Sequence, residues 1–426
     1  MVTPIKSQST QELSTDPEVH GRTLTVVVLD ALDAAHVRWC LLRGLVGDGD
    51  VDVLVAEADL HRAVPVLEGF GLVRLRAYGR GSHKFFLGLD EIARSWVEFD
   101  LVTDLTFGQD FEVRTGAASA CLSRRCREGG VWVLAPEDEF WALLLHCMLD
   151  KGSFANDHVR RLSELVSVAS VKSPLVDAMP SEAGCEALVD LVRAGQWARL
   201  VAASGSLLQA WRRAAPIGAA GARARSTALR LVERPLQAWS RRGLSVALMG
   251  PDGAGKSTLA GRIESTFYFP VRRIYMGLWP TDDAPRGPVQ AVFQIVRRPF
   301  RVWRRYLAGL RHRVLGRLVL FDRYIYDASL PARGSLIWLK RPYFWMLSHS
   351  CPSPNLIILL DAPGEVLHGR SGEYAPAHLE AERQHYRRLA RRMPQLVQVD
   401  SNRPPELVVS EVMCHIWRQY QRRAAR

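Results

Sequence analysis

Long apolar segments, paired cysteines and internal repeats are all missing from this 426-residue sequence. No segment reaches the roughly 20 apolar residues that a membrane-spanning helix needs, and residues 1–16 lack the apolar core of a secretory signal. The 7 cysteines are scattered without a CxxC pair, which argues against a zinc knuckle and favours reduced thiols. We therefore expect a cytoplasmic protein.

Acidic residues are scarce in the second half of the chain. Residues 1–210 carry 29 acidic and 20 basic side chains, whereas residues 244–426 carry 14 acidic and 28 basic ones. A basic domain can serve nucleic acid, anionic lipid or a polyphosphate substrate, and net charge does not distinguish these. No groove-reading motif is present, so we do not expect nucleic-acid binding.

The length of the chain exceeds the size at which one hydrophobic core stops growing, so two domains are expected. Hydrophobic periodicity predicts an α+β fold first, with helical segments from Pro136 to about residue 203. Residues 204–243 are rich in Ala, Gly and Arg and are predicted to form a basic linker. The predicted helices of the α+β part are residues 24–35 and 60–68, and its predicted strands are 38–42, 51–55, 72–78, 84–87 and 96–102, with a glycine turn at 44–49.

After the linker, strand, loop and helix patterns alternate. This order predicts a parallel sheet covered by helices on both faces, which is an α/β fold of three layers. The predicted strands are residues 245–249, 318–321, 356–360 and 396–399.

One glycine-rich segment carries a specific motif. Residues 250–258 read Gly-Pro-Asp-Gly-Ala-Gly-Lys-Ser-Thr, which fits GxxxxGK[ST] between a predicted strand and a predicted helix. In such a loop, backbone N–H groups surround phosphate oxygens, the lysine neutralises them and the serine ligates Mg²⁺. The alternative is a glycine turn that carries Lys-Ser by chance. We expect ATP and Mg²⁺ as cofactors, bound by Gly250, Asp252, Gly253, Ala254, Gly255, Lys256, Ser257 and Thr258.

The same loop resembles that of thymidylate kinases, and a second segment agrees with it. Residues 316–324 read Gly-Arg-Leu-Val-Leu-Phe-Asp-Arg-Tyr and are similar to that family's strand ending in Asp-Arg-Tyr. The resemblance implies that Arg323 holds the acceptor phosphate and that Asp322 lies beside the metal and the reacting groups. Both side chains would follow a parallel strand, where open α/β sheets bind their ligands. The alternative is a surface ion pair.

A third segment, residues 356–366 followed by Arg370-Ser-Gly-Glu, is similar to that family's fourth strand and lid. The resemblance makes Arg370, and next Arg383, candidates for closing over the phosphates. Arg387, Arg388 and their neighbours are expected to form a solvated face. The resemblance covers about residues 244–417. The Arg-Glu-Pro-Gly and Ala-Tyr-Gln strings that read thymine are missing, so we predict a kinase whose acceptor is not identified.

The N-terminal half resembles the nucleotidyltransferase superfamily. Leu41-Leu-Arg-Gly, Asp50-Val-Asp-Val and Val97-Glu-Phe-Asp match that family's glycine turn, Asp-x-Asp strand and third carboxylate. Residues two apart on a strand share a face, so Asp50, Asp52 and Asp100 are predicted to bind metal together. His146 and Lys151 match positions that line such clefts. Leu45 replaces the family's serine, so an active transferase, a degenerate nucleotide-binding domain and a structural role all stay open.

Residues 297–317 hold eight arginines, from Arg297 to Arg317, interleaved with Phe300, Trp303 and Tyr306. A basic amphipathic helix of this kind could rest on an anionic membrane or hold a phosphorylated acceptor. The alternative is a solvated helix that packs its aromatic side on the domain.

The sequence thus predicts a Mg²⁺- and ATP-dependent phosphotransferase fused to a nucleotidyltransferase-like domain. The expected domains are residues 22–203 and 244–426, joined by the linker 204–243. The expected partners are ATP and an unidentified phosphate acceptor, and the chain could form a homodimer. The rival hypothesis is a regulatory or scaffolding P-loop ATPase that has no small-molecule acceptor.

Overall fold

The computed structural model describes residues 22–43, 50–75, 81–180, 184–214, 243–278, 288–330 and 337–424, and within 218–231 residues 218, 220–221, 223–229 and 231. Side chains of the segments that begin at 288 and 337 are described from residues 295 and 340 onward. The predicted turn at 44–49 and residues 76–78 of the predicted third strand lie outside the described residues. No helix in the described segments is both long and apolar enough to cross a bilayer.

A mixed seven-stranded sheet organises the first part of the chain, in the order β3-β4-β5-β2-β1-β9-β8. β2 pairs in parallel with β5, and β1 with β9, whereas the other neighbours are antiparallel. The predicted strands are confirmed, with shifts of a few residues at their ends. The strands are β1 (Trp39–Leu41), β2 (Asp50–Val55), β3 (Val73–Arg74), β4 (His83–Asp90), β5 (Ser95–Val102), β6 (Thr106–Phe107), β7 (Val113–Arg114), β8 (Cys126–Glu128) and β9 (Val131–Val133), of which β6 and β7 form a separate ribbon.

The two faces of this sheet have different chemistry because successive strand residues point to opposite sides. Val51, Val53 and Phe99 pack on one side beneath α1 (Leu24–Ala34) and α2 (Leu60–Gly69), which are the two predicted helices. Asp52 and Asp100 occupy alternate positions and so belong to the other face.

Helices follow the sheet, as the sequence predicts, and share a core that includes Phe140, Trp141 and Leu200. They run beyond the predicted boundary at residue 203. Residues 204–214, predicted as the start of the linker, are the last turns of a helix because Leu207 and Trp211 are buried in this core. The helices are α3 (Ala118–Arg124), α4 (Pro136–Leu145), a π-helical turn (His146–Lys151), α5 (Asn156–Leu165), α6 (Pro174–Asp177), α7 (Cys185–Arg193) and α8 (Trp197–Ala214).

A second sheet contains five parallel strands in the order β11-β12-β10-β13-β14. The four predicted strands are confirmed. β11 is an additional strand, which the sequence pattern does not reveal because two arginines interrupt its apolar residues. The strands are β10 (Leu244–Met249), β11 (Val271–Tyr275), β12 (Leu318–Asp322), β13 (Leu356–Asp361) and β14 (Leu396–Asp400).

Helices cover both faces of this sheet, so three layers form as predicted. Val246 and Leu248 of β10 pack with Leu259 and Trp417 on one side, whereas Ala247 packs in a separate core on the other. The helices are α9 (Lys256–Thr266), α10 (Pro288–Val314), α11 (Ile337–Ser348), α12 (Gly364–Ser371), α13 (Pro376–Ala390) and α14 (Pro405–Ala424). α9 and α14 lie on the Val246 side, and α10, α11 and α13 contribute to the Ala247 side.

The two sheets are in direct contact through the hairpin of β4 and β5. Leu87 is fully buried and belongs to the core beneath α9 and α14. The Trp96 ring lies 5.1 Å from that of Trp417, and its Nε1 donates to the Thr266 carbonyl at 2.8 Å. The Tyr268 hydroxyl donates to Glu98 at 2.6 Å. Apolar packing and hydrogen bonds therefore join the two halves.

Leu87→Ala tests this contact. Removing a fully buried leucine should lower the free energy of unfolding by about 3 kcal/mol, because the cavity is closed by both halves of the chain. Ile92→Ala, at a side chain that is 54% exposed, is the matched control and should cost about 0.5 kcal/mol or less. Urea unfolding followed by tryptophan fluorescence measures both. Equal losses in the two variants would mean that Leu87 contributes no packing between the halves.

Candidate active site

A glycine loop, residues 250–255, connects the carboxyl end of β10 to the start of α9. Gly250 and Gly253 have φ values of 140° and 82°, which side chains rarely adopt. A Cβ atom at Gly253 would lie 2.5 Å from the Leu367 carbonyl oxygen, and one at Gly250 would lie 2.6 Å from that of Leu360. The loop therefore packs directly on the backbone of β13 and α12, and only glycine fits these two positions.

Lys256 is the first residue of α9 and is 7% exposed. Its Nζ atom donates to the carbonyl oxygens of Gly250 and Pro251 at 2.8 and 2.7 Å and lies 3.6 Å from Asp252. Burial, together with the nearby charge of Arg323, lowers the pKa of Lys256. The ammonium group is held inside the loop and does not extend into solvent.

Ser257 and Asp322 lie side by side at the next position. The Ser257 hydroxyl donates to an Asp322 carboxylate oxygen at 3.4 Å, and Arg273 of β11 forms an ion pair with the same oxygen. A hydroxyl and a carboxylate are oxygen donors of the kind that Mg²⁺ prefers. The donor set therefore suits this cation, although Arg273 competes for the carboxylate.

Arg323 follows β12 and has an unusual backbone, with φ at 63°. Its N–H donates to the Leu248 carbonyl of β10 at 3.1 Å, which fixes the turn. Its guanidinium pairs with Asp252 of the glycine loop and lies 3.4 Å from Asp327. Left-handed backbone at a residue other than glycine is costly and is found most often at functional sites.

The Asp327 carboxylate, which contacts the Arg323 guanidinium, is itself held by a hydrogen bond. The Tyr386 hydroxyl of α13 donates to the second oxygen of the buried carboxylate at 2.9 Å. Burial raises the pKa of Asp327, whereas the Arg323 charge acts in the opposite direction. Burial tends to lower the pKa of Arg323, but the carboxylates of Asp327 and Asp252 prevail and raise it.

The predicted lid arginines are placed differently from one another. Arg370 donates to the Ser401 carbonyl at 3.0 Å, in the loop after β14. Among the described residues it makes no hydrogen bond or ion pair with the glycine loop or with Arg323. Its role in closing over phosphates stays a prediction.

Asp361, at the end of β13, attracts the other arginines. Arg383 donates to both of its oxygens at 2.7 and 3.0 Å, and Arg387 and Gln398 donate to one of them at 2.8 and 2.9 Å. Burial opposes ionisation, but the two arginines prevail and hold the pKa of Asp361 below its usual value. The prediction that Arg387 is only solvated is wrong, because one turn of α13 places it beside Arg383.

A concave site lies in the N-terminal half. A cleft of about 420 Å³ is lined by four predicted residues, Asp52, Asp100, His146 and Lys151. Asp52 and Asp100 are direct neighbours on the parallel strands β2 and β5. Asp50 pairs with Glu98 in the same ladder and is not part of the lining. Burial and the Asp52 carboxylate raise the pKa of Asp50.

Two side chains contact the carboxylates of this cleft. Arg43 lies 2.9 Å from Asp52, and His83 Nδ1 lies 2.6 Å from one oxygen of Asp100. The other oxygen of Asp100 is buried and has no hydrogen-bond partner. In the part of the chain that the structure describes, no three His, Cys, Asp or Glu residues are grouped so that they could hold a metal ion. The predicted three-carboxylate cluster is therefore not assembled, because Asp50 lies outside the lining and Arg43 and His83 pair with the other two.

Several contacting residues were not expected from the sequence. Arg273 lies on the unpredicted strand β11, and Asp327 and Tyr386 meet only where α13 contacts the turn after β12. His83 and Asp150, which lies 2.8 Å from His146, carry no motif that would single them out. Arg43, in contrast, belongs to the Leu-Leu-Arg-Gly segment. Its position beside the Asp-x-Asp strand was the one feature of the sequence that could have identified it as a contacting residue.

Comparisons with known proteins add little to this site. No family model matches the sequence, and no curated protein matches it. One solved structure that matches is a deoxyadenosine kinase from M. mycoides with bound dATP, at 13% identity and a TM-score of 0.31. The match covers 41% of this chain and 98% of that chain. A TM-score this low supports no statement about the fold or the function of this chain.

Arg383→Ala tests the Asp361 cluster. Arg383 donates two hydrogen bonds to the nearly buried carboxylate of Asp361, and losing them should lower the free energy of unfolding by about 2 kcal/mol. The loss is smaller than for a buried carboxylate left without partners, because Arg387 and Gln398 remain. Arg388→Ala, an exposed neighbour on α13, is the control. Because the folded-state pKa of Asp361 is lowered, its stabilisation is present above about pH 4 and is lost as the pH falls. Chemical unfolding at several pH values should therefore show the difference from wild type shrinking in acid, and a difference that is constant with pH would contradict this assignment.

Proposed function

We propose that the C-terminal half transfers a phosphoryl group from Mg·ATP to a small acceptor. One observation supports this most strongly. Lys256, the Ser257–Asp322 pair and Arg323 meet around one glycine loop, at the edge of a parallel sheet where its strands end. Two segments distant in sequence, residues 250–257 and 322–323, converge there, and each contributes groups that phosphoryl transfer uses.

The glycine loop and the start of α9 would bind the phosphates of ATP. Backbone N–H groups at a helix N-terminus favour anions, and Lys256 is positioned to neutralise the β and γ phosphates. Phosphate oxygens would replace the carbonyls of Gly250 and Pro251 as acceptors for Nζ. Ser257 and Asp322 would hold Mg²⁺, which would neutralise part of the phosphate charge.

Arg323 would hold the acceptor. Its guanidinium is fixed from one side by Asp327 and meets the loop carboxylate Asp252 on the other. An anionic acceptor can take the place of Asp252 in a two-pronged contact with the guanidinium. Tyr275 ends β11 nearby, and Arg305 lies over its ring at 5.5 Å, which adds a second basic group to this side. An acceptor that carries a phosphate or carboxylate fits these groups best.

The rival proposal, a regulatory ATPase, differs in one measurable property. A regulatory ATPase would form ADP at the same rate with and without acceptors. A kinase would show turnover that depends on one of them, so a screen of phosphorylated and hydroxylated small molecules with labelled ATP separates the two.

Lys256→Ala should lower kcat for phosphoryl transfer by at least about a hundredfold, because the charge that compensates the transferring phosphate is lost. Arg262→Ala on the exposed side of the same helix is the control and should retain wild-type turnover. Melting curves check that both variants fold. Wild-type turnover in a folded Lys256→Ala variant would exclude the glycine loop as the active site.

A second proposal concerns the N-terminal cleft, where the buried and unpartnered oxygen of Asp100 lies beside Asp52. We propose that this pair binds a divalent cation and a nucleotide, as in the nucleotidyltransferases that the segment resembles. Metal would take the places of Arg43 and His83 at the two carboxylates. Leu45 stands where those enzymes have a serine, so the proposal covers binding and does not extend to nucleotidyl transfer.

Mn²⁺ without nucleotide should raise the melting temperature of the full chain by about 2 °C or more if these carboxylates bind it. Asp52→Asn combined with Asp100→Asn should abolish the increase. Ser257→Ala, which alters the other proposed cation site, should leave it intact. An increase that survives the double substitution would remove the cleft from the cation sites of this protein.

A further inference from the structure

Helix α10 presents an exposed apolar stripe to solvent. Its members follow one another at intervals of four, three, four and seven residues, which places them along one line of an α-helix. The exposed fractions are 58% at Val296, 74% at Phe300, 43% at Trp303, 52% at Leu307 and 66% at Val314. Soluble proteins rarely expose a continuous apolar line of this length.

A different face of the helix holds it to the protein. Val302 and Tyr306 are buried in the core beneath the second sheet, and Arg305 donates to the Gly277 carbonyl at 3.2 Å. The expected alternative, in which the aromatic residues pack on the domain, applies only to Tyr306. Phe300 and Leu307 lie on another side, so the stripe is not needed for folding of the domain.

Arginines follow one flank of the stripe. Arg297, Arg301, Arg304 and Arg311 lie about 60° to 140° around the helix from it, at 100° per residue. The 27 residues of α10 include no aspartate or glutamate. The exposed surface of this helix therefore combines apolar side chains with positive charge alone.

We propose that this stripe docks α10 onto the surface of an anionic lipid bilayer. An interfacial helix buries its apolar face at the boundary of headgroups and acyl chains, while its basic residues contact anionic headgroups. Trp303, at the edge of the stripe and in contact with Tyr306, has the amphipathic ring that favours this boundary.

Other occupants fit the stripe less well. Two copies of the chain meeting stripe to stripe would bury the apolar residues, but α10 of the second copy has no acidic residue to pair with the arginines. Nucleic acid would accept the arginines, but its bases stack on aromatic rings and leave aliphatic Val296, Leu307 and Val314 in water. A bilayer satisfies both the aliphatic groups and the charges.

The neighbouring helix α11 contacts α10 and also exposes apolar side chains. The Tyr343 hydroxyl of α11 donates to the Ile295 carbonyl at 2.6 Å, which joins α11 to the first part of α10. On α11, Trp345 is 66% exposed and Met346 is 46% exposed.

Vesicle flotation of the full chain tests the proposal. Binding is expected to vesicles of phosphatidylcholine mixed with phosphatidylglycerol, and to be much weaker with phosphatidylcholine alone. Phe300→Ser with Leu307→Ser should lower the partition coefficient at least about tenfold, because two apolar groups no longer enter the bilayer. Arg304→Gln with Arg311→Gln should lower it about tenfold or more at low salt and much less at high salt.

A matched control replaces exposed apolar residues elsewhere. Ile92→Ser with Val168→Ser should bind vesicles as the wild type does, and the Phe300 and Leu307 variant should keep its melting temperature and its ATP turnover in solution. Equal binding by the stripe variant and the wild type would overturn the proposal. Two other results would also overturn it. One is a wild-type protein that is dimeric and does not bind vesicles, with a stripe variant that is monomeric. The other is binding of the wild-type protein to RNA but not to vesicles.

Discussion

The fully buried strand β10 determines where the chemistry of the second half lies. All six of its residues are buried, and it forms hydrogen-bonded ladders with β12 on one side and β13 on the other. Because the ladders are parallel, the glycine loop, Arg323 and Asp361 emerge at the same edge of the sheet. A shift of one residue in either ladder would reverse the faces on which these side chains lie.

Carboxylates balance the cations at that edge. Asp252 meets both Lys256 and Arg323, Asp322 meets Arg273, and Asp361 meets Arg383. Paired charges in a partly buried site are less costly than isolated ones, so the site is stable with its functional groups in place. A polyanionic ligand must compete with these carboxylates, which favours ligands that also supply a cation such as Mg²⁺.

One strand, β5, runs from the N-terminal cleft to the contact between the two halves. Asp100, Glu98 and Trp96 alternate along β5 and therefore share a face. Asp100 lines the cleft, Glu98 accepts from Tyr268, and Trp96 packs on the Trp417 ring of α14. A change at the cleft and a change at the contact between the halves would therefore act on the same strand.

Local sequence determined the elements that depend on short-range patterns. The strand before residues 250–258, the glycines of the loop and the helix that begins at Lys256 follow from buried-strand periodicity and the steric freedom of glycine. The sequence also placed Asp52 and Asp100 on one sheet face, because the side-chain period of a strand is two. The thymidylate-kinase and nucleotidyltransferase resemblances were readable at the same level, since they depend on short strings of residues.

Tertiary structure decided the partners of the charged side chains. An arginine side chain is long enough to reach several acceptors. Only tertiary packing determines that Arg370 donates to the Ser401 carbonyl and that Arg387 donates to the Asp361 carboxylate. Packing also moved the start of the predicted linker from residue 204 to beyond residue 214, and it set which face of α10 turns inward. Periodicity shows that a helix has an apolar side, but burial depends on which elements surround it. The sequence thus determined the elements and their motifs, whereas the fold decided which charges meet and which apolar groups stay exposed.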